Sequence, residues 1–353
     1  VFQQTNKVDV KAVCDVYAAR IDQALQKATG AKGFNDHRKL LETKELDAVL
    51  IATPDHWHSG TAIDALNAGK DVYVEKPLCQ TPEQGVELVA AEAKSRNIVQ
   101  VGMQRRSYDL YLDARKVVAA GTLGKVRMVR SWWLNNHLGG GSAAKLDGPL
   151  DWEQWQGPAA KMAPDPHRFR NWRLYADYAG GILADQGAHV FDGIHLLMNA
   201  SYPLAVNASA NRPHKEKVDT AESAIAIAEY PEDFIASFSI NYAAMRYKSR
   251  NDQLNQLDGD QARLDIGRGG SEAQEDPPQR LTALVPDPAG RPGADDERST
   301  ELDPRRIAGP RQTGVGDRRR DREMDVGRPG RGRERDRRVR PERDEPCGGR
   351  ADA

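Results

Sequence analysis

The chain has 353 residues, of which 39% are hydrophobic and 29% charged, and this composition is typical of a soluble globular enzyme large enough for two domains. Its formal net charge of -1 gives no reason to expect nucleic acid or a membrane surface as a partner, and it has no apolar run of the roughly 18 residues that a transmembrane helix needs. The 3 cysteines are isolated in the sequence, which argues against a disulfide framework and against a structural zinc site.

Strands and helices alternate in the first part of the chain. Strands are predicted at residues 8–14, 46–53, 71–74 and 98–103, with helices between them at residues 18–29, 59–68 and 81–96. The last of these helices has a defined start, because Thr81 can cap it, Pro82 suits its first position and Gln84 completes a capping box. Parallel strands need such crossover helices, so the pattern predicts an α/β fold with a Rossmann-type doubly wound parallel sheet.

The ends of these strands supply candidate site residues. Ligands of doubly wound sheets bind beyond the carboxyl ends of the strands. Polar residues and turn formers follow the predicted strands at these ends, namely Asp15, Thr53, Glu75, Lys76, Pro77, Gln104 and Arg105. We therefore expect the functional site to draw on this set.

After a further predicted helix at residues 110–120, the pattern changes to longer β-rich segments. Strands are predicted at residues 126–134, 204–210, 222–229 and 234–242, followed by a hairpin over residues 254–266 that turns at Asp258 and Gly259. These segments predict a C-terminal α/β domain with a mixed, largely antiparallel open sheet. The long excursion at residues 135–199 is expected to carry function, because long loops inside a domain usually do.

Residues 268–353 have a different composition. They contain 20 of the 35 arginines, whereas every lysine and every aromatic residue lies at or before Lys248. Such a segment has no apolar face to offset its ordering entropy, so we expect a disordered tail. One interpretation is a natural tail of basic and acidic residues, and the preferred one is a non-native end created by a frameshift in a GC-rich gene. Interleaved acids argue against nucleic-acid binding by its arginines.

One predicted helix carries a polar stripe on an apolar background. Asp185, His189 and Asp192 lie within about 60° of one another on one helix face. Burying these groups is costly unless they pair, and a carboxylate beside a histidine is expected to bring its pKa toward neutrality, which suits proton transfer from an alcohol. The alternative is a helix N-terminus whose acids complement the helix dipole, together with a core histidine.

Three motifs in a fixed order resemble one known family. They are Thr53-Pro54-Asp55-His56-Trp57-His58, Glu75-Lys76-Pro77 and the helix segment Asp185-Gln186-Gly187-Ala188-His189-Val190-Phe191-Asp192, which follows Gly180-Gly181. Together with Gly102-Met103-Gln104-Arg105-Arg106, they resemble the Gfo/Idh/MocA oxidoreductases, the family of glucose-fructose oxidoreductase and inositol 2-dehydrogenase. No single motif would suffice, and together they cover residues 8–266.

The resemblance implies an NAD(P)-dependent dehydrogenase that transfers a hydride between a nicotinamide and a hydroxyl of a sugar, a sugar derivative or a cyclitol. In the family pattern Lys76 contacts substrate and nicotinamide, His189 is the acid or base, and Asp185 binds or orients the substrate. Lys76 could instead be a solvated lysine in a turn. Two other functions share the fold, namely an NAD-dependent glycosidase and a catalytically inactive cofactor-binding homologue.

The expected cofactor is NAD, with NADP as the alternative. Asp15 ends a strand at the point where a carboxylate accepts hydrogen bonds from an adenosine ribose and repels a 2'-phosphate. His56 and His58 by themselves make a poor metal site, so no metal is expected. The predicted cofactor-binding residues are Asp15, Thr53, Pro54, His58, Glu75, Lys76, Pro77 and Gln104.

The small-molecule substrate is expected to be recognised mainly by the excursion. Arginine donors and a tryptophan ring suit a sugar, although an exposed basic loop explains the same residues equally well. The predicted substrate residues are Arg105, Arg168, Trp172, Arg173 and Asp192.

The chain departs from the family pattern at both ends. No Gly-rich turn precedes residue 8, so we expect the first strand and this turn, roughly 20 to 40 residues, to be absent. The predicted domains are an incomplete NAD(P)-binding domain at residues 1–125 and a truncated substrate and oligomerisation domain at residues 126–267. The resemblance implies a homodimer or homotetramer for the complete protein. A cytoplasmic location is the default expectation, and an exported form is compatible with an unseen N-terminus.

Overall fold

The computed structural model describes residues 8–134, 146–213, 218–243, 253–268, 279–284 and 299–301. The chain divides into one compact unit, Val1–Ala308, and a second, Gly309–Ala353. All described residues lie in the first unit. The domain boundaries expected near residues 125 and 267 stay predictions.

Five parallel strands form the amino-terminal part of the fold, in two separate sheets. Strand β1 (Ala12–Cys14) pairs with β2 (Lys32–Phe34), and the second sheet has the order β3 (Ala48–Ile51), β4 (Asp71–Val74) and β5 (Val99–Val101). Crossover helices connect these strands, which confirms the predicted Rossmann-type class. The helices are α1 (Ala18–Lys27), α2 (His37–Leu41), α3 (Asp55–Asn67) and α4 (Pro82–Lys94).

Local sequence signals explain some of these elements and miss others. The capping box of α4 forms as predicted, with the Thr81 side chain accepting from the Gln84 backbone N–H and the Gln84 side chain reaching back. Strand β2 was missed because three residues, Lys-Gly-Phe, show no apolar alternation. Helix α2 has only five residues, which is too short for a helical period.

The carboxyl-terminal part contains an eight-stranded sheet. Its order is β13-β12-β11-β10-β6-β9-β8-β7, in which β6 and β9 are parallel and the other pairs antiparallel. This arrangement confirms the predicted mixed, largely antiparallel open sheet. The strands are β6 (Val126–Leu134), β7 (Ala205–Ala210), β8 (Ser223–Tyr230), β9 (Phe234–Asn241), β10 (Gln253–Gly259), β11 (Arg263–Arg268), β12 (Gln279–Leu284) and β13 (Ser299–Glu301).

One expectation about this sheet is corrected. The predicted turn at Asp258 and Gly259 was wrong by about two residues, because both belong to β10 and the turn follows at residues 260–262. Within the segment that was expected to be a disordered tail, β12 pairs with β11, and β13 pairs with β12. The expectation of disorder for the tail stays a prediction. The other residues of the tail lie outside the described part of the chain.

Two helices cover one face of the large sheet and form the main core with it. They are α5 (Asp109–Ala119) and α8 (Gly181–Met198), and Ile194 of α8 and Phe238 of β9 are both essentially buried. Burial alternates along β8 and β9, because successive side chains of a strand point to opposite faces. Burying a side chain such as Phe238 contributes roughly 1.5–3 kcal/mol.

The part of the excursion that the structure describes is folded rather than an open loop. It contains α6 (Trp152–Gln156) and α7 (Pro166–Arg170) and packs six rings together, which we call the aromatic cluster: Tyr17, Trp152, Trp155, Phe169, Tyr175 and Tyr178. The Trp155 carbonyl accepts a hydrogen bond from the indole N–H of Trp57 at 2.9 Å. These contacts attach the excursion to α3. None of the helices in the described ranges has both the length and the apolar character that crossing a bilayer requires.

Candidate active site

Two loops at the carboxyl ends of β3 and β4 contribute residues to the candidate site. Thr53 follows β3, and Glu75, Lys76 and Pro77 follow β4, with a cis peptide bond between Lys76 and Pro77. Because β3 and β4 are parallel neighbours, their carboxyl ends lie side by side. These residues therefore lie together at the carboxyl ends of the strands, where ligands of doubly wound sheets bind.

The His58 side chain contacts a backbone carbonyl group of each of the two loops. Its Nδ1 lies 2.6 Å from the Pro77 carbonyl oxygen and its Nε2 lies 2.8 Å from the Thr53 carbonyl oxygen. Burial lowers the pKa of His58, and the two carbonyl contacts oppose this effect. A neutral ring donates to one of the carbonyls and a protonated ring to both.

His58 was predicted to contact a cofactor, and in the structure its ring contacts backbone oxygens. The side chain is 1% exposed, and both ring nitrogens already face backbone oxygens. The motif suggested cofactor contact because His58 follows a strand end closely in sequence. Its position in the first turns of α3 directs it under the loops instead.

Lys76 bridges from the second loop to α8. Its Nζ lies 2.5 Å from Oδ1 of Asp185 and 2.8 Å from the Asp185 backbone oxygen. The two side chains are only 13% and 12% exposed, so the ion pair is shielded from water. Helix α8 begins at Gly181, whose φ of +73° favours glycine and accounts for the Gly-Gly pair before the motif.

His189 lies one turn after Asp185 on the same face of α8 and is 8% exposed. Burial is the main reason that the pKa of His189 is lowered to about 3; the charges of Lys76 and Arg105 contribute to the shift, and Asp185 opposes it. The expected shift toward neutrality is thus wrong in direction, because burial and the two cations outweigh the Asp185 carboxylate. The imidazole is neutral at neutral pH.

Asp55 is a buried carboxyl group that was not predicted as a site residue. It begins α3 and is 2% exposed, and its Oδ2 has no hydrogen-bond partner among the described residues. Burial raises the pKa of Asp55 to about 7, and the negative charge of Asp185 adds to this effect, whereas Arg173 and Lys76 oppose it. Asp55 lies within the first motif, which was the only signal for it.

A cavity of about 300 Å³ opens beside Asp185. The lining combines aromatic rings and arginines, and it includes Trp133, Arg170, Trp172, Arg173, Asp185 and Tyr242. Trp172 and Arg173 were predicted as substrate residues. Arg170 lies in the same sequence segment and was also considered as a pocket residue. Trp133 and Tyr242 were missed, because they reach the cavity from separate elements and no local pattern joins them.

The other predicted substrate residues support the cavity or lie away from its lining. Arg168 pairs with Asp177 at 2.9 Å, and its guanidinium carbon lies 4.1 Å from the centre of the Tyr175 ring. Asp192 pairs with Arg106 at 2.7 Å. Neither Arg168 nor Asp192 is among the described residues that line the cavity.

Arg105 is buried below α8 as part of a polar chain. Its Nη1 donates to the His189 carbonyl oxygen at 3.3 Å, and its guanidinium carbon lies 5.2 Å from the Tyr111 ring centre and 5.9 Å from that of Trp133. The Tyr111 hydroxyl accepts a hydrogen bond from Asn255 at 2.8 Å. Arg105 therefore positions α8 and is too deep for the predicted direct contact with substrate.

The predicted cofactor residues, apart from His58, lie at strand ends. Asp15 follows β1, where its Oδ1 accepts from the Tyr17 backbone N–H at 2.9 Å and its Oδ2 lies 3.7 Å from Arg20. The half-buried carboxylate keeps acceptor capacity, which fits the hydroxyls of a ribose. Thr53 and Gln104 are exposed, and Pro54 is half-buried.

Glu75 lies directly against the end of the neighbouring strand. A Cβ on Gly102 would come within 3.1 Å of a Glu75 carboxylate oxygen and 2.9 Å of the Tyr73 hydroxyl. The glycine thus permits this close approach at the ends of β4 and β5. Among the residues that the structure describes, no group of three or more His, Cys, Asp or Glu side chains could hold a metal ion.

Sequence comparisons match both parts of the chain to one family. Residues 1–103 match the model described as an oxidoreductase family with an NAD-binding Rossmann fold, and residues 111–265 match the GFO/IDH/MocA C-terminal domain. The chain is 37% identical over 124 residues to an inositol 2-dehydrogenase of Salmonella paratyphi B, a match that covers 35% of this chain and 37% of that protein. It is 37% identical over 123 residues to inositol 2-dehydrogenase 2 of Saccharopolyspora erythraea, covering 35% and 36%. The chain thus matches little more than a third of the length of these relatives.

Solved structures share the fold. A levoglucosan dehydrogenase in complex with NADH and L-sorbose superposes with a TM-score of 0.62 at 21% identity, over 87% of this chain and 75% of that one. An oxidoreductase domain protein from Kribbella flavida superposes with a TM-score of 0.61 at 24% identity, over 83% and 71%. These likenesses concern the fold alone.

Proposed function

Because the chain belongs to the Gfo/Idh/MocA oxidoreductase family, we propose that it transfers a hydride between NAD and a hydroxyl group of a sugar, a sugar derivative or a cyclitol. The observation that carries this proposal is the contact of 2.5 Å between the Lys76 amine and Asp185, one helical turn before His189. Asp185 lines the cavity, Lys76 is bound to it, and the neutral imidazole of His189 follows one turn later on the same helix. This set suits the removal of a proton from an alcohol.

Residues at the strand ends would hold the cofactor. Asp15 would accept hydrogen bonds from the adenosine ribose, and Thr53, Pro54, Glu75, Lys76, Pro77 and Gln104 would line its path across the sheet. NAD supplies a hydride acceptor when it is bound. The carboxylate of Asp15 repels a 2'-phosphate, which favours NAD over NADP.

Lys76 and His189 would have different roles in the reaction of the substrate hydroxyl. Lys76, held by Asp185, would donate a hydrogen bond to the reacting hydroxyl and stabilise the alkoxide as it develops. His189 would accept the hydroxyl proton, since its pKa of about 3 keeps a ring nitrogen free to do so.

The test is an assay of NADH formation with inositols, aldoses and uronic acids. We expect turnover of at least one substrate class, and a loss in kcat on the order of a thousandfold in Lys76→Met, because a stabilising cation next to the reacting oxygen contributes about that much. Lys94→Met, which changes an exposed lysine at the end of α4, is the matched control and should leave kcat unchanged.

Three outcomes would contradict the proposal. Equal turnover by Lys76→Met and the parent chain would remove Lys76 from the mechanism. Release of an aglycone without net NADH would indicate a glycosidase instead. Binding of NADH without turnover of any substrate would indicate an inactive homologue.

We also propose that the protein forms a homodimer or homotetramer through its large sheet. Four apolar side chains are 40–43% exposed on the strands β6, β8 and β9: Met128, Ile225, Ile227 and Ile235. Met128 and Ile235 are register partners, so they stand side by side. Contiguous apolar surface of this kind favours association. Light scattering over a range of concentrations would measure the assembly, and a monomer at every concentration would contradict it.

A further inference from the structure

A buried amide on strand β10 links the large sheet to the helix that carries His189. The Nδ2 of Asn255 donates to the Tyr111 hydroxyl at 2.8 Å, and its Oδ1 accepts from the Ser131 hydroxyl on β6, also at 2.8 Å. All three side chains are buried. Apolar side chains of similar shape at these positions would cost the fold little stability, so stability alone does not account for this polar set.

Tyr111 extends the link from Asn255 to Arg105. The Arg105 guanidinium carbon lies 5.2 Å from the centre of the Tyr111 ring, and its Nη1 donates to the His189 carbonyl oxygen at 3.3 Å. Arg105 and Tyr111 are both buried. Asn255 therefore fixes the hydroxyl end of a ring whose face supports the cation that bonds to His189.

Helix α8 has a glycine at the point where Tyr111 and Arg105 pack against it. A Cβ on Gly193 would come within 3.2 Å of Cε1 of Tyr111 and 4.0 Å of Nη1 of Arg105. Gly193 lies one turn after His189 on the same face of α8. A glycine inside a helix lowers the stability of the helix, so the close contact with the Tyr111 ring gives a reason for glycine at this position.

Arg105 also acts on the His189 imidazole through its charge. Burial is the main reason that the pKa of His189 is lowered, and the charges of Lys76 and Arg105 contribute, while Asp185 opposes them. These groups come from the loop after β4, from the helical turn Gln104–Ser107 and from α8 itself. A displacement of Arg105 would therefore change both the position of the ring and its protonation.

We infer that Asn255 is a positioning residue for His189 and acts through Tyr111 and Arg105. This inference rests on the proposed function, in which His189 accepts the proton of the substrate hydroxyl. It gives the large sheet a role in catalysis in addition to its role in the core.

Steady-state kinetics over a range of pH test the inference. Asn255→Leu removes both hydrogen bonds of the amide, and we expect kcat to fall about tenfold with a change in KM of less than about twofold, because a small displacement of a catalytic group is sufficient for such a loss. The acid limb of the kcat/KM profile should move to higher pH, because a cation that is held less closely lowers the pKa of the ring less. Tyr111→Phe keeps the ring and removes only the hydroxyl, and this milder variant should change kcat and the profile in the same direction.

Gln256→Leu is the matched control. Gln256 is the next residue of β10, is also buried, and its side-chain amide donates to Asp265 at 2.9 Å. Successive side chains of a strand point to opposite faces, so this bond does not lie on the side of Tyr111. The substitution should lower thermal stability and leave kcat and the pH profile unchanged. Equal kinetic losses in Gln256→Leu and Asn255→Leu would mean that Asn255 serves stability alone and would overturn the inference.

A double-mutant cycle tests the path through the tyrosine hydroxyl. In the Tyr111→Phe background, Asn255→Leu should have almost no further effect on kcat or on the pH profile, because the bond between the two side chains is already absent. Independent effects of the two substitutions that add in the double variant would overturn the path.

A measurement that needs no turnover separates this inference from the proposed function. NMR of protein with labelled histidine follows the titration of the His189 ring, whose signal is assigned by its loss in His189→Gln. We expect the ring to protonate at higher pH in Asn255→Leu than in the parent chain, and no such change in Gln256→Leu. This shift without turnover of any sugar would refute the dehydrogenase and leave the positioning by Asn255 in place. Turnover by Asn255→Leu with unchanged kcat and an unchanged titration would do the reverse.

Discussion

The strand-end loops and helix α8 bring reactive side chains to the same point by different means. In the loops, backbone position is fixed by the parallel strands β3 and β4 and by His58 beneath them. In α8, the helical period alone places Asp185 and His189 on one face. The position of a side chain in these loops therefore depends on contacts outside its own segment. The position of a side chain on α8 depends mainly on the residue at which the helix begins.

The largest expected effect on kcat comes from a substitution on helix α8. Asp185→Asn removes the charged partner of Lys76, so we expect kcat to fall roughly a hundred- to a thousandfold, in the range of a lost group that stabilises the transition state. Asp192→Asn is the matched control on the same helix, because Asp192 pairs with Arg106 instead. Steady-state kinetics measure both, and similar losses in the two variants would argue against a special role for Asp185.

An intermediate effect is expected for the stability of the protein at Asp55, which begins α3. An Asp in the unfolded chain has a pKa of about 3.9, and burial raises the pKa of Asp55 to about 7. Between these values the folded carboxyl binds a proton that the unfolded chain has lost. The associated stability is therefore present below pH of about 3.9 and is lost as the pH rises to about 7.

Asp55→Asn imitates the protonated form at every pH. We expect its advantage in free energy of unfolding to grow from near zero at low pH to about 4 kcal/mol above pH 7, because the buried charge is no longer formed. Urea titrations at several pH values measure this difference. Asp22→Asn, at an exposed position of α1, is the control, and an advantage that is constant with pH would refute the explanation.

The smallest expected effect on kcat comes from a substitution at His58, which supports the two strand-end loops. His58→Gln cannot contact both carbonyl oxygens as the imidazole does, so Lys76 should be held less firmly and kcat should fall about tenfold with little change in KM. His37→Gln is the control, since His37 on α2 bonds to Asp64. Lower thermal stability with an unchanged kcat would mean that His58 serves the fold alone.

Much of this arrangement follows from the sequence because it depends on local rules. The capping box, the alternation of β8 and β9, and the period that aligns Asp185 with His189 are all properties of short segments. The position of Lys76 near α8 was expected from the family resemblance. These features could therefore be predicted at the positions where the structure has them.

The rest depends on contacts between distant segments. Trp133 and Tyr242 meet Trp172 at one cavity although they come from separate elements, and no spacing in the sequence records this meeting. The pKa of His189 was expected near neutrality because Asp185 is close in sequence. It falls to about 3 because burial and the charges of Lys76 and Arg105 outweigh that carboxylate.

Trp133 belongs both to the cavity lining and to the surroundings of Arg105. A smaller residue at this position would enlarge the cavity, and it would also take an aromatic face away from a buried cation that bonds to the backbone of α8. Widening the substrate range by this route is therefore coupled to a loss of order in the catalytic helix.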